Sequence, residues 1–380
     1  MEGRFLHRVD SVYFLVMILS ILIFLIVLSV LVLVHELGHF IMARRAGVWV
    51  EEFGFGLPPR LIGKQVGETL YSINALPFGG FVRLHGEQEE EGVTNKARAF
   101  LYRDKKTRIS VIVAGVIMNF LLGILAFGIV YSFQGIPRDT HKIKVVDIAQ
   151  NSPALSSGLV VGDILTKANG KTFDKTDDFI AYVDSQKGKN VSIETADGKK
   201  ITVKPRENPP EGQGPLGVTI TNTEIYYPPV WQRPFYGIYF GFKEAVFWGW
   251  TILTGLWSIA TDIFRGHAPQ GVSGPVGIFA VTTEAARSGI LTLINFVGIL
   301  SVNLAILNIL PFPALDGGRL LFIFVESVMG RKVMPKIEAA IHTAGMVILL
   351  ALLLLITVSD IRRLILAGSI TGFLNSMVAK

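Results

Sequence analysis

Residues 12–34 form an unbroken run of 23 residues without one charged side chain, and the run ends directly in His35-Glu36-Leu37-Gly38-His39. A helix rises 1.5 Å per residue, so a run of this length covers a bilayer hydrocarbon core of about 30 Å. A chain that places three ionisable side chains at the end of such a segment has few ways to fold. The helix crosses a membrane, and the polar cluster sits at its end, where it must be paired or used. A cleaved signal peptide is the competing reading. It needs a shorter apolar core and a small-residue cleavage site, and neither is present.

Three further uncharged runs have spanning length, at residues 109–133, 288–315 and 339–359. With 50% hydrophobic and 17% charged residues, the whole chain is too apolar for an ordinary soluble domain of 380 residues. The expected fold class is therefore a polytopic α-helical membrane protein with four transmembrane helices. Lys and Arg cluster between the first two runs, from Arg44 and Arg45 to Lys105, Lys106 and Arg108, and again at Arg331, Lys332 and Lys336. Such loops stay in the cytoplasm, so membrane topology accounts for the formal charge of +6 better than nucleic acid does. Residues 134–227 and both termini then face outward.

The outer segment reads as a small β-rich domain. Short runs such as KIKVVDI, NVSIETA and KKITVKP are punctuated by Gly, Asn and Asp, with one helix expected over 176–186. Residues 245–261 are uncharged and carry Trp248, Trp250 and Trp257. If they crossed the membrane, the motif at 315–319 would lie opposite His35, so an interfacial helix anchored by its tryptophans is expected. The acidic run 87–91 reads as a solvated loop, and GVSGPVGI at 271–278 as a turn near the membrane surface.

The chemistry centres on His35 and His39. Positions i and i+4 share one helix face, so both imidazoles can reach one metal ion, and Glu36 lies beside the water such an ion would hold. The chain has no cysteine, so any metal is held by histidine and carboxylate. Asp316, in NILPFPALDGGR, is the candidate third ligand. Its alternative reading is a helix cap or turn residue ahead of Gly317 and Gly318. His7, His85, His141, His267 and His342 have no partner at metal spacing.

HELGHF at 35–40 together with NILPFPALDGGR at 308–319 resembles the site-2 protease family (peptidase M50), most closely its bacterial RseP type. The resemblance implies a zinc metalloendopeptidase of regulated intramembrane proteolysis, with Zn2+ held by His35, His39 and Asp316 and with Glu36 as catalytic base. It assigns Asn308 to substrate binding; read alone, Asn308 is equally a buried polar residue satisfied by a neighbouring helix. It likens residues 67–86, whose Gly79-Gly80 reads as a turn, to a membrane-associated β-element that pairs with an unwound substrate; a plain surface hairpin is the alternative. SPALSSGLVVGDILTKANGKTF looks like a PDZ signature, implying one inserted PDZ domain that docks substrates or excludes bulky ones.

The implied organisation is a first membrane part at 1–133, with spans at 12–34 and 109–133. A PDZ domain follows at 134–227 on the outer side, then an interfacial helical linker at 228–287. A second membrane part at 288–380 has spans at 288–312 and 339–359. Implied partners are single-pass transmembrane substrates, such as anti-sigma factors or signal-peptide remnants, and membrane lipid; nucleic acid is not among them. The implied site is the bacterial inner membrane, with the active site near the cytoplasmic face. A catalytically idle PDZ-bearing scaffold is the alternative, but it has no use for Glu36. A zinc transporter would show internal repeats and more intramembrane polar residues.

Overall fold

The computed structural model describes residues 2–87, 93–210, 212–266, 273–331 and 333–378. These divide into two compact units, residues 1–132 with 234–380, and Phe133–Arg233.

The first unit opens with α1 (Glu2–Arg45), a helix that continues without a break from the apolar run through His35 and His39. Arg44 and Arg45 fill its last turn, where cations complement the helix dipole, and Gly47 at φ +71° lets the chain leave. Two long bent strands follow, β1 (Val50–Val66) and β2 (Thr69–Leu84), reversing at Gly67. Because both strands fold back, residues 52–55 of β1 pair with 70–73 on one side and with 80–83 on the other, while 62–66 cover the far side of 69–73. Four segments thus lie side by side, with residues 80–83 at one edge.

Gly79-Gly80 is not the expected turn. Paired glycines are a common hairpin signal, yet here they lie inside β2. Gly79 takes φ +81° where the strand bends, and Gly80 pairs with Phe55, where a Cβ would come 2.9 Å from the Gly54 carbonyl.

Helix α2 (Lys105–Gln134) crosses α1 closely, since a Cβ on Gly38 would run into the Ala114 backbone. The second unit then intervenes. Its strands β3 (Ile136–Ile148), β4 (Ile164–Ala168), β5 (Lys171–Thr172), β6 (Val191–Thr195), β7 (Lys200–Val203) and β8 (Val218–Tyr226) pair antiparallel. The sheet order is β7-β6-β4-β3-β8, with β5 beside β4. Helix α3 (Pro153–Ser157) is capped by the Ser152 hydroxyl, which accepts from Leu155 N. Helix α4 (Thr176–Ser185) lies within a residue of the expected 176–186 and sends Phe179 and Val183 into a core with Ile143, Leu165, Val191, Ile193 and Ile201.

The first unit resumes with α5 (Arg233–Phe264), one helix containing the tryptophan-rich stretch. Among the described residues, four helices are long and apolar enough to cross a membrane, Leu15–Arg45, Lys105–Gln134, Ile290–Ile309 and Lys336–Ala367, and α5 is not one of them. Gly237, Gly241, Ala245 and Gly249 recur every fourth residue on its buried face. A Cβ on Gly237 or Gly241 would strike the α2 backbone at Gly128, the close approach that small residues allow between helices in apolar surroundings.

Helix α6 (Pro275–Arg287) corrects the reading of GVSGPVGI as a turn: residues 271–272 lie outside the described residues, and Pro275 opens a helix, a position where its missing N–H costs nothing. Helix α7 (Ile290–Ile309) ends short of the expected 312. Pro311 and Pro313 cannot continue it, and Leu310, ahead of Pro311, is extended. A separate helix, α8 (Asp316–Met329), begins at the candidate ligand. Helices α9 (Pro335–Ala367) and α10 (Ile370–Val378) complete the chain. Asp360 of α9 is buried and accepts from Gly274 N at 2.9 Å and Gly277 N at 3.1 Å, capping α6.

Candidate metal centre

Two helices carry the candidate ligands, and a shared apolar cluster holds them in place. Ala43 of α1, Val50 and Leu84 of the β-element, Val111 and Ile112 of α2 and Ile323 of α8 pack together. A buried ion pair reinforces the α2–α8 contact: Arg108 and Glu326 meet at 2.8 Å with both side chains almost wholly excluded from solvent. Asp316 stands at the first position of α8, one residue past the N-cap Leu315, and as an acidic residue in the first turn it complements the helix dipole rather than capping the helix.

His35 Nε2 lies 3.0 Å from Asp316 Oδ2, His39 Nε2 lies 3.3 Å from the same oxygen, and the two Nε2 atoms are 3.1 Å apart. A tetrahedral ion with bonds of about 2.0–2.1 Å spaces its ligand atoms by about 3.3 Å. The triangle therefore has the size of a zinc site. No other group of three such residues with convergent donor atoms occurs among the described residues.

Three observations fit the group to a metal. His39 Nδ1 donates to the Val111 carbonyl at 2.8 Å, which leaves the Nε2 lone pair facing the centre. Asp316 Oδ2 is buried and otherwise unpartnered. Gly115 of α2 makes the space for both rings, since a Cβ there would sit 2.6 Å from His39 Cε1 and 2.7 Å from His35 Cε1. Burial pushes the Asp316 carboxyl up, but the two imidazoles outweigh it and hold the group well below the usual carboxylate range, in its ligating form.

The triangle opens onto a cavity of about 820 Å³ lined by Glu36, by residues 81–87 at the edge of the β-element, and by Arg319, Glu338 and His342. Glu36 lies beside Gly80, whose Cβ would be 3.8 Å from Glu36 Cγ. Gly79 sits on the other side of that bend, near Val32 of α1. Asn308 is in the last turn of α7, half-buried, and does not line the cavity.

Several residues of the site carried no role in the sequence reading. Glu87, read as part of a solvated loop, pairs with Arg319 of α8 across the cavity and accepts from Leu84 N; 88–91 lie outside the described residues. His342 accepts from Ala314 N at 2.9 Å, and Ala314 holds φ +79°, so α9 braces the bend two residues before Asp316. His85 pairs with Glu51 at 2.7 Å. Gly115 and Asn119, four residues apart in an apolar span, were the available signal for the α2 face, since a side-chain amide there needs a partner.

A profile of peptidase family M50 matches residues 23–352. A Clostridium perfringens relative, provisionally named a zinc metalloprotease, is 36% identical over 86% of this chain and 94% of its own length. The zinc metalloprotease RasP of Geobacillus kaustophilus is 30% identical over 87% of this chain and 95% of its own length. The regulator of sigma-W protease RasP of Bacillus subtilis is 28% identical over 87% and 96%. With four helices of spanning length, this is a multi-pass membrane protein whose cofactor is Zn2+. The chain belongs to peptidase family M50, the site-2 proteases, and is an intramembrane zinc metalloendopeptidase.

Proposed function

We propose that His35, His39 and Asp316 hold the zinc ion, that Glu36 is the catalytic base, and that the substrates are single-pass membrane proteins cut in or beside their transmembrane helix. The observation that carries this reading is the triangle of ligand atoms, 3.0–3.3 Å on a side, opening onto the cavity that Glu36 lines. Bound zinc supplies Lewis acidity, lowering the pKa of water and polarising a carbonyl. Glu36 takes the proton from the attacking water and passes it to the leaving amine. Arg319 and Glu87 border the same space and keep its far wall polar.

A helical substrate hides its carbonyls in its own hydrogen bonds, so it must be unwound before it can be cut. The edge at residues 80–83, next to Glu36 and, among the described residues, free on its outer side of further strand pairing, is a place where an extended substrate adds as one more strand. Gly79 and Gly80 let that edge approach the site. Asn308 is proposed to meet the substrate once it is seated.

The unit Phe133–Arg233 is read as a PDZ domain on the outer face of the inner membrane, excluding substrates with bulky outer domains. Basic residues at 44–45, 105–108 and 331–336 support an active site near the cytoplasmic face. The sigma-W name of the Bacillus subtilis relative supports anti-sigma factors as one substrate class, with signal-peptide remnants as another.

The test compares wild type with Glu36→Gln on a tagged single-span substrate in membranes, with bound zinc measured in both. Cleavage by the wild type only, with zinc retained in both, is the expected result. Zinc in both proteins with cleavage by neither, over several such substrates, would overturn the protease role.

A further inference from the structure

The α2 helix faces the two histidines with three residues spaced one turn apart. Val111 offers its carbonyl to His39 Nδ1, Gly115 leaves room for both rings, and Asn119 stands opposite His35. Asn119 is fully buried, and its main-chain oxygen accepts from Ser301 Oγ of α7 at 2.7 Å, a contact apart from its side-chain amide. Its side-chain amide lies 3.5 Å from His35 Nδ1 through Nδ2, while its Oδ1 is buried with no hydrogen-bond partner among the described residues.

Those two facts conflict with a ligating His35. An amide N–H directed at Nδ1 requires the lone pair there, which puts the ring proton on Nε2, the atom aimed at Asp316 Oδ2. A ring in that state has no lone pair for a metal. The oxygen and nitrogen of a side-chain amide share one outline, and half a turn of the Asn119 amide exchanges them. That turn brings Oδ1 to Nδ1 and makes Nδ1 the protonated nitrogen; it exchanges an unpartnered oxygen for an unpartnered NH2, so what favours it is the lone pair that a ligating His35 needs on Nε2.

We infer that Asn119 is a positioning residue of the metal centre: its side-chain carbonyl accepts the Nδ1 proton of His35 and fixes the tautomer whose Nε2 lone pair faces the ion, as the Val111 carbonyl does for His39. One helix thus orients both imidazoles, once through its main chain and once through a side chain. A hydrogen-bonded partner behind a ligating histidine sets its orientation and basicity, and losing one typically costs about 10- to 100-fold in metal affinity. The inference rests on His35 being a ligand.

The experiment measures zinc affinity by chelator competition, and the visible spectrum of the cobalt-substituted protein, for full-length wild type, Asn119→Leu, Asn119→Asp and Ser301→Ala. Leucine keeps the outline and removes the acceptor; aspartate can only accept. Asn119→Leu is expected to bind zinc about 10- to 100-fold more weakly with an altered cobalt spectrum, while Asn119→Asp and Ser301→Ala stay close to wild type. Equal affinity in wild type and Asn119→Leu overturns the role of Asn119, as does a tenfold loss in Asn119→Asp. Should the leucine variant not fold, Asn119→Ala, which removes the acceptor with the least bulk, is held to the same expectation and the same overturning result. A wild type that takes up no zinc defeats the ligand assignment instead.

Discussion

The two units of the chain are built on opposite plans. In Phe133–Arg233 the interior is Ile143, Val145, Leu165, Phe179, Val191, Ile193 and Ile201, and the charges lie outside. In the other unit leucine and isoleucine cover much of the exterior, while Ser29, His35, Arg108, Asn119, Ser301, Glu326 and Asp360 are buried. Water drives apolar side chains inward in the first case. A hydrocarbon surround gives no such drive, so helices meet through glycine contacts and polar pairs, and buried polarity marks the working parts.

The contrast breaks first at Arg108. Arg108→Met leaves Glu326 charged and buried without its partner, and is expected to destabilise the membrane unit by about 3–5 kcal/mol in thermal or denaturant unfolding. Adding Glu326→Leu should recover most of that loss, because an apolar pair of similar volume removes the stranded charge. Next comes Ile193→Ala, expected to cost the β-rich unit about 2–5 kcal/mol by hydrogen exchange while zinc affinity stays unchanged. If zinc binding fell as well, the two plans would not be independent.

Gly115→Ala sharpens the other side of the comparison. Its methyl group meets both imidazoles, so zinc affinity should fall by about 100-fold in a chelator titration, with the β-rich unit unaffected. The smallest effect belongs to Glu194, held below the ordinary glutamate range by its hydrogen bond to Lys200 and, further, by Lys167. A depressed carboxylate adds stability above its unfolded pKa and loses it as pH falls through the folded value. Glu194→Gln should therefore lower that unit's stability slightly near neutrality and leave it unchanged in strong acid, a shallower acid limb in denaturant unfolding followed across pH.

Much of this was legible because it is local. Four spans follow from uncharged length, and His35, Glu36 and His39 from one helical turn. Strand β8 was missed, and the Gly79-Gly80 bend was misread, because both depend on partners far along the chain. The end of α7 was legible in Pro311 and Pro313 but was masked by the uncharged run around them. Pairings such as Arg108 with Glu326 and Arg319 with Glu87, more than 200 residues apart, leave no periodic trace. Asn119 gave only the oddity of an amide in an apolar span.

The triangle also has a consequence in time. Asp316 follows His39 by 277 residues of sequence (316 − 39). Synthesis at about 5–20 residues per second separates them by on the order of tens of seconds. For that interval a nascent chain carries Glu36 and two of the three side chains of the triangle without the third. A ribosome that stalls anywhere before Asp316 releases a fragment that cannot assemble the triangle, so the order of the residues is itself a safeguard against a half-made protease.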